Sequence, residues 1–136
     1  MMIRDFTELK AWQEAHKLTL AVYKNTCNFP SHEKFGVVSQ LQRAASSVPA
    51  NIAEGFARNS TGELLRSLSI ARGSLAETRY FLLLSRDLGY LNGGALQQMQ
   101  KQCESVAQLI NALARSLRQR AVDKAQGTRH KARPAS

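Results

Sequence analysis

The chain has 136 residues, enough for one domain that buries about two-thirds of the surface its unfolded form exposes. With 43% hydrophobic and 21% charged residues it is globular rather than disordered, and few aromatics and three prolines leave long stretches without turn signals, which points to an all-α protein. The formal charge is +9, no apolar run approaches the roughly 18 residues of a membrane span, and the first ten residues lack an apolar signal core, so a cytoplasmic protein is expected rather than an exported or membrane-spanning one.

In chain order, a first helix is expected from about Thr7 to Thr26, with Leu9, Trp12, Ala15, Leu18 and Val22 on one apolar face. The segment Asn28–Phe35 breaks it, and Ser31 is placed to cap the next helix. That second helix runs to about Arg58 on the apolar steps Leu41, Ala45, Val48, Ile52 and Phe56. Pro49 lies inside the pattern and predicts a kink or break near Val48, because it has no amide hydrogen and crowds the carbonyl four residues earlier. Ser60 followed by Glu63 matches a capping box that opens a third helix from about Thr61 to Leu88, stopped by Gly89. The fourth helix has the cleanest pattern: Leu96, Met99, Cys103, Val106, Ile110, Leu113 and Leu117 form a heptad seam that predicts packing at about 20° to its neighbours. The stripe stops after Ala121, so residues 1–120 are expected to form the bundle and 121–136 a disordered basic tail. Three short connections join these helices into an antiparallel, up-down-up-down four-helix bundle.

The stretch Gln40–Arg58 also carries a motif. Gln40, Arg43, Ala44, Ser47, Asn51, Ile52, Ala53, Glu54 and Gly55 match the pattern Q-x-x-R-A-x-x-S-x-x-x-N-I-A-E-G, and the chain here resembles the small bacterial four-helix-bundle proteins encoded in intervening sequences of 23S rRNA genes, distant relatives of accessory proteins of diversity-generating retroelements. The resemblance spans about residues 5–118. It implies a four-helix bundle and a homopentamer. It also implies a genetic setting within rRNA operons, and relatives that work with a reverse transcriptase and RNA. Gly73-Ser74-Leu75-Ala76-Glu77 matches a second family motif with a glutamate at the Glu77 place.

Charge is unevenly spread. Residues 115–136 hold seven basic side chains against Asp123 alone, a net +6, while the first 114 residues hold 12 basic against nine acidic. On the third helix Arg72, Arg79 and Arg86 recur every seven residues beside the seam Leu68, Leu75 and Leu82, with Arg66 elsewhere on the helix. The row reads either as phosphate contacts about 10 Å apart or as a charged edge that pairs with neighbouring carboxylates. With Arg115, Arg118 and Arg120 these arginines are the candidate nucleic-acid contacts. Glu77 has no cation four positions away on its own helix, so a partner is expected from another helix, with Arg43 and Arg72 the candidates. Arg43, Glu54 and Glu77 are expected to form a structural ion-pair network.

No catalytic, metal or cofactor site is expected. His16, His32 and His130 lie in three regions without ligand spacing, no G-x-S-x-G or phosphate loop occurs, and Cys27 and Cys103 fit no CxxC pattern, reading as reduced thiols. Small residues crowd Ala44–Ala53, and Trp12, Tyr23, Phe35 and Phe56 make the apolar faces wider than one bundle core needs, so helix two could supply a subunit contact. Two functions stand against each other. One is an oligomeric protein that binds RNA or DNA through phosphates. The other is a protein-interaction scaffold with an incidental basic surface. No small-molecule substrate and no membrane partner is expected.

Overall fold

Leu96, Met99, Cys103, Val106 and Ile110 follow one another at heptad spacing and all are buried, because that spacing returns each side chain to the same face of a helix. The same 3–4 rhythm on the third helix buries Leu64, Leu68, Ala71, Leu75, Thr78, Leu82 and Ser85. The computed structural model describes residues 2–132, with side chains described through residue 127. Its main helices are α1 (Lys10–Thr26), α2 (Val37–Ala57), α3 (Thr61–Asp87) and α4 (Gly93–Ala132), with short 3₁₀ turns at Phe6–Glu8 and Ser31–Glu33. Among the described residues there is no strand. Each helix packs on two neighbours, α1 on α2 and α4, and α3 on α2 and α4. Contacts of falling against rising residue number run α2 opposite to its neighbours: Arg43 meets Glu77 and Gly55 lies against Ser67 across α2–α3, and Thr19 meets Ala45 and Thr26 meets Gln42 across α1–α2. The fold is therefore a four-helix bundle.

Local chemistry sets the boundaries. Asp5 and Glu8 form a capping box on the 3₁₀ turn, and Leu9, extended at φ −75° and ψ 126°, separates that turn from α1. The first helix was expected to begin at Thr7 and begins instead at Lys10. Ser31 opens the second 3₁₀ turn rather than capping α2. The Glu33 carboxylate does that work, its Oε1 accepting the Val37 amide at 3.4 Å. Ser60 caps α3, its Oγ accepting the Glu63 amide. The α3 C-terminus closes in a Schellman turn: Gly89 has φ +83°, and the Tyr90 amide donates to the Ser85 carbonyl at 2.9 Å. Asn92 Oδ1 then accepts the Ala95 amide at the start of α4.

A kink or break was expected near Val48; α2 runs through Pro49 as one continuous helix, so there is no break. Proline leaves the Ala45 carbonyl without its helical donor. Thr19 of α1 takes that place, its single hydroxyl lying 3.1 Å from the Ala45 carbonyl and 3.0 Å from the Ala15 carbonyl. Helices α2 and α3 lie close together at Gly55, where a Cβ would lie 2.6 Å from Ser67 Oγ. The glycine of the Gln40–Arg58 motif thus marks a helix crossing.

The fourth helix departs most from expectation. It continues as helix through Ala132, where the sequence pattern had set a boundary at Ala121. Residues 121–127 are all exposed, so this stretch extends past the packed bundle. An apolar stripe is needed to pack a helix but not to prolong one: each added residue gains a hydrogen bond without a new nucleation step, and Ala, Gln, Lys and Arg are good helix formers.

Candidate functional site

Arg72 and Arg79 reach the same place. They line an open groove of about 540 Å³ between α3 and α4, whose floor is Leu75, Ala76, Cys103 and Ala107 and whose far wall carries Glu104, Gln108 and Asn111. Heptad spacing puts both arginines on the α4 side of α3, two turns apart. Arg79 Nε donates to Gln100 Oε1 across the groove at 3.2 Å. Among the described residues Arg72 has no hydrogen-bond partner. Arg86 is not the third member of a free row, because its guanidinium is held by Asp87 at 2.9 Å. The stripe is thus a pair of groove-lining cations facing one carboxylate, plus a cation already neutralised by its neighbour in sequence.

The remaining candidate arginines lie on α4. Arg115 borders a second groove, between α1 and α4, with Lys10 and Glu14. Arg120 stands at the end of the bundle beside Met2 and Ile3. Arg118 is exposed between them. Beyond Arg120 the exposed helix adds Lys124 and Asp123, the latter accepting from Gln119 at 3.0 Å.

The expected ion-pair network divides in two. Arg43 Nη2 meets Glu77 Oε2 at 2.6 Å and Gln40 Oε1 at 3.0 Å, so the partner of Glu77 does come from another helix. Glu54 is not brought to them. It lies three turns along α2 and pairs with Arg58 at 3.2 Å, the usual reach of residues four apart. Both pairs are solvent-exposed, with side chains 38–62% accessible, which places each at about 0–1 kcal/mol. Only Arg43–Glu77 joins two helices, and both pairs contribute little to stability.

Burial pushes the Cys103 thiol up to about 12, against a smaller lowering by Arg79, so it stays protonated and inert. Cys27 is exposed, with Sγ against the Lys24 carbonyl at 3.1 Å. Among the described residues no group of three or more His, Cys, Asp or Glu side chains could hold a metal ion, and no helix is long and apolar enough to cross a membrane.

Sequence reasoning missed two features. The helical course of 121–132 was legible only in its composition, which has no proline before Pro134. The tie between Tyr90 and Glu33, whose Oε2 accepts the phenol at 2.9 Å, joins the α1–α2 and α3–α4 connections at one end of the bundle and left no local signal. Phe35 is the most exposed large hydrophobic side chain of the described residues at 88%, and Tyr23 at 48% and Leu20 at 56% are exposed as well. Helix α3 carries a further exposed apolar set, Ile70, Tyr80 and Leu83. Of the four aromatics expected to exceed the core, Trp12 and Phe56 pack partly against it, and Tyr23 and Phe35 do not.

A family model for 23S rRNA-intervening sequence proteins matches residues 7–112. Among solved structures, a protein of unknown function from the S23 ribosomal protein family of Bacteroides thetaiotaomicron is 20% identical, with a TM-score of 0.68 over 76% of this chain and 97% of that one. At that identity the likeness speaks for the fold. No curated protein matches.

Proposed function

The chain belongs to the 23S rRNA-intervening sequence protein family, and from that premise we propose that it is a non-enzymatic, cytoplasmic bundle protein that associates with RNA or DNA through phosphate contacts. One observation carries this reading. Positive charge is dense along the end of α4, where Arg115, Arg118, Arg120 and Lys124 share the helix with one described carboxylate, Asp123, and Glu14 of α1 lies across a groove from Arg115. Charge of one sign on a projecting, solvent-facing element attracts polyanions without selecting a sequence. The Arg72–Arg79 groove is a secondary contact, weakened by Glu104 on its opposite wall. Fluorescence anisotropy with a structured RNA and a duplex DNA of equal length, across a salt series, tests it. The expected result is binding whose log–log salt slope is about −4 or steeper, as at least four phosphate neutralisations require. Absence of binding at low salt would remove the reading.

A second reading, self-association with or without an adaptor role, draws on Phe35, Tyr23 and Leu20 and on the apolar outer residues of α3. An aromatic ring almost wholly in water is costly unless a partner covers it. The family resemblance implies a pentamer, and we take five as the working number. Light scattering after gel filtration would give the mass, with Phe35→Ser expected to lower it. An unchanged monomeric mass for both proteins would discard this reading.

A further inference from the structure

The exposed end of α4 has cations on two flanks rather than one. At 3.6 residues per turn, Arg115 and Arg118 lie on one side of the helix and Arg120 and Lys124 on the other, about 170° apart. Of the two strips between them, one holds Leu117, Ala121 and Ala125. The other holds Gln119 and Asp123, hydrogen-bonded to each other at 3.0 Å. In cross-section the arm therefore has a small apolar edge, a cationic flank on each side of it, and its single carboxylate on the opposite edge. From Ala121 to Ala132 it is helical for about 17 Å beyond the packed bundle, while at its base Leu117 packs partly against the core and Arg115 borders α1.

That arrangement has a natural counterpart. A helix about 10–12 Å across fits the B-form major groove, about 12 Å wide, whose two rims are rows of phosphates. The alanine edge would enter the groove, where methyl groups meet thymine methyls, the flanking cations would reach the two phosphate rims, and Asp123 would point away from the duplex. A-form RNA does not admit the arm, because its major groove is deep and narrow. A lipid surface fits poorly as well, since interfacial helices bury Leu, Phe or Trp where this edge presents Ala121 and Ala125, and the exposed Val122 lies on the Arg115–Arg118 flank. We propose that the helical end of α4 is a groove-entering arm for duplex DNA. This inference rests on the nucleic-acid reading above and adds to it the form of the nucleic acid and the element that contacts it.

The test compares the full-length protein with its Ala121→Pro/Ala125→Pro variant, which keeps every charge but cannot hold the arm as a helix. Thermal unfolding checks that the bundle is intact. Binding is read on one sequence as duplex DNA and as duplex RNA, and on vesicles of anionic and neutral lipid. The expected result is a preference of the parent protein for DNA, and a loss of about tenfold or more in DNA affinity for the variant that brings it level with RNA. Methylation of guanine N7 probes the major groove on the parent protein alone, so it remains decisive should the variant misfold, and protection is expected. Equal binding of DNA and RNA by both proteins, with unprotected N7, would overturn the arm while leaving the charge-driven reading standing. Binding to vesicles but to neither duplex, or to nothing, would overturn both.

Discussion

Pro49 has no amide hydrogen, so the Ala45 carbonyl of α2 depends for its hydrogen bond on the Thr19 hydroxyl of α1. Thr19→Val keeps the shape and removes the donor, and a buried carbonyl left without a partner costs about 1–3 kcal/mol. Pro49→Ala returns the amide, so the same threonine change should cost clearly less in that background. Urea midpoints of the four proteins give the coupling, and equal losses with and without Pro49 would show that Thr19 acts through packing alone. The two thiols give a second check at this scale. Cys103 is buried and raised to about 12, whereas Cys27 is exposed. A disulfide reagent at pH 8 should modify one thiol per native chain and two per unfolded chain. Rapid reaction of both in the native protein would contradict the packing of α4.

Between helices, close approach rather than propensity decides the effect of a substitution. Alanine for glycine inside a helix ordinarily gains about 0.5–1 kcal/mol. At Gly73, where a Cβ would meet nothing within 4 Å, Gly73→Ala should show that gain. At Gly55 the added methyl would press on Ser67 of α3, so Gly55→Ala should lose about 1–3 kcal/mol instead. Opposite signs in one pair of thermal melts would confirm the α2–α3 crossing, and a gain at both would place the helices further apart. The joint between the two connections has its own signature. Glu33 accepts the Tyr90 phenol and, with burial, raises its pKa above the ordinary value of 10.0. A raised pKa means the neutral form is the one the fold favours. The contribution is therefore complete below about pH 10 and disappears as pH rises through the higher folded value. The parent protein should lose more stability than Tyr90→Phe as pH rises above about 10, and parallel pH curves would exclude the contact.

At the scale of the whole molecule, packing and charge occupy different parts of one helix. The last buried residue of α4 is Ala114, Leu117 is partly buried, and residues 121–127 are exposed. A chain ending at residue 120 should unfold at nearly the same urea concentration as the full chain. It lacks four cations and one carboxylate of the full chain. Its salt slope for duplex DNA should fall by about 3, near 0.9 for each phosphate no longer neutralised. A large drop in stability would mean that the end of α4 packs on the bundle. An unchanged slope would move the polyanion site to the Arg72–Arg79 groove.

The sequence by itself determined the helices and the faces they bury, because heptad spacing at Leu96–Ile110 and Leu64–Leu82 is a property of one helix and its chemistry. It also required a partner for Glu77 from another helix, since Glu77 had no local cation to meet, but left Arg43 and Arg72 as candidates until the structure chose Arg43. Only the tertiary structure decided which helix answered each local need. Thr19 filling the gap left by Pro49, Ser67 requiring Gly55, and Tyr90 binding Glu33 all join positions 12 to 57 residues apart, and no periodicity encodes such pairings. The three-arginine row looked uniform because spacing reveals the face of a helix and not what stands opposite it. Glu104 changed its meaning once the helices were in place, and Asp87, next to Arg86 in sequence, holds the third guanidinium. The same holds for the end of α4: loss of an apolar stripe in the sequence ends packing, but helix continues for as long as each backbone amide finds the carbonyl four residues before it.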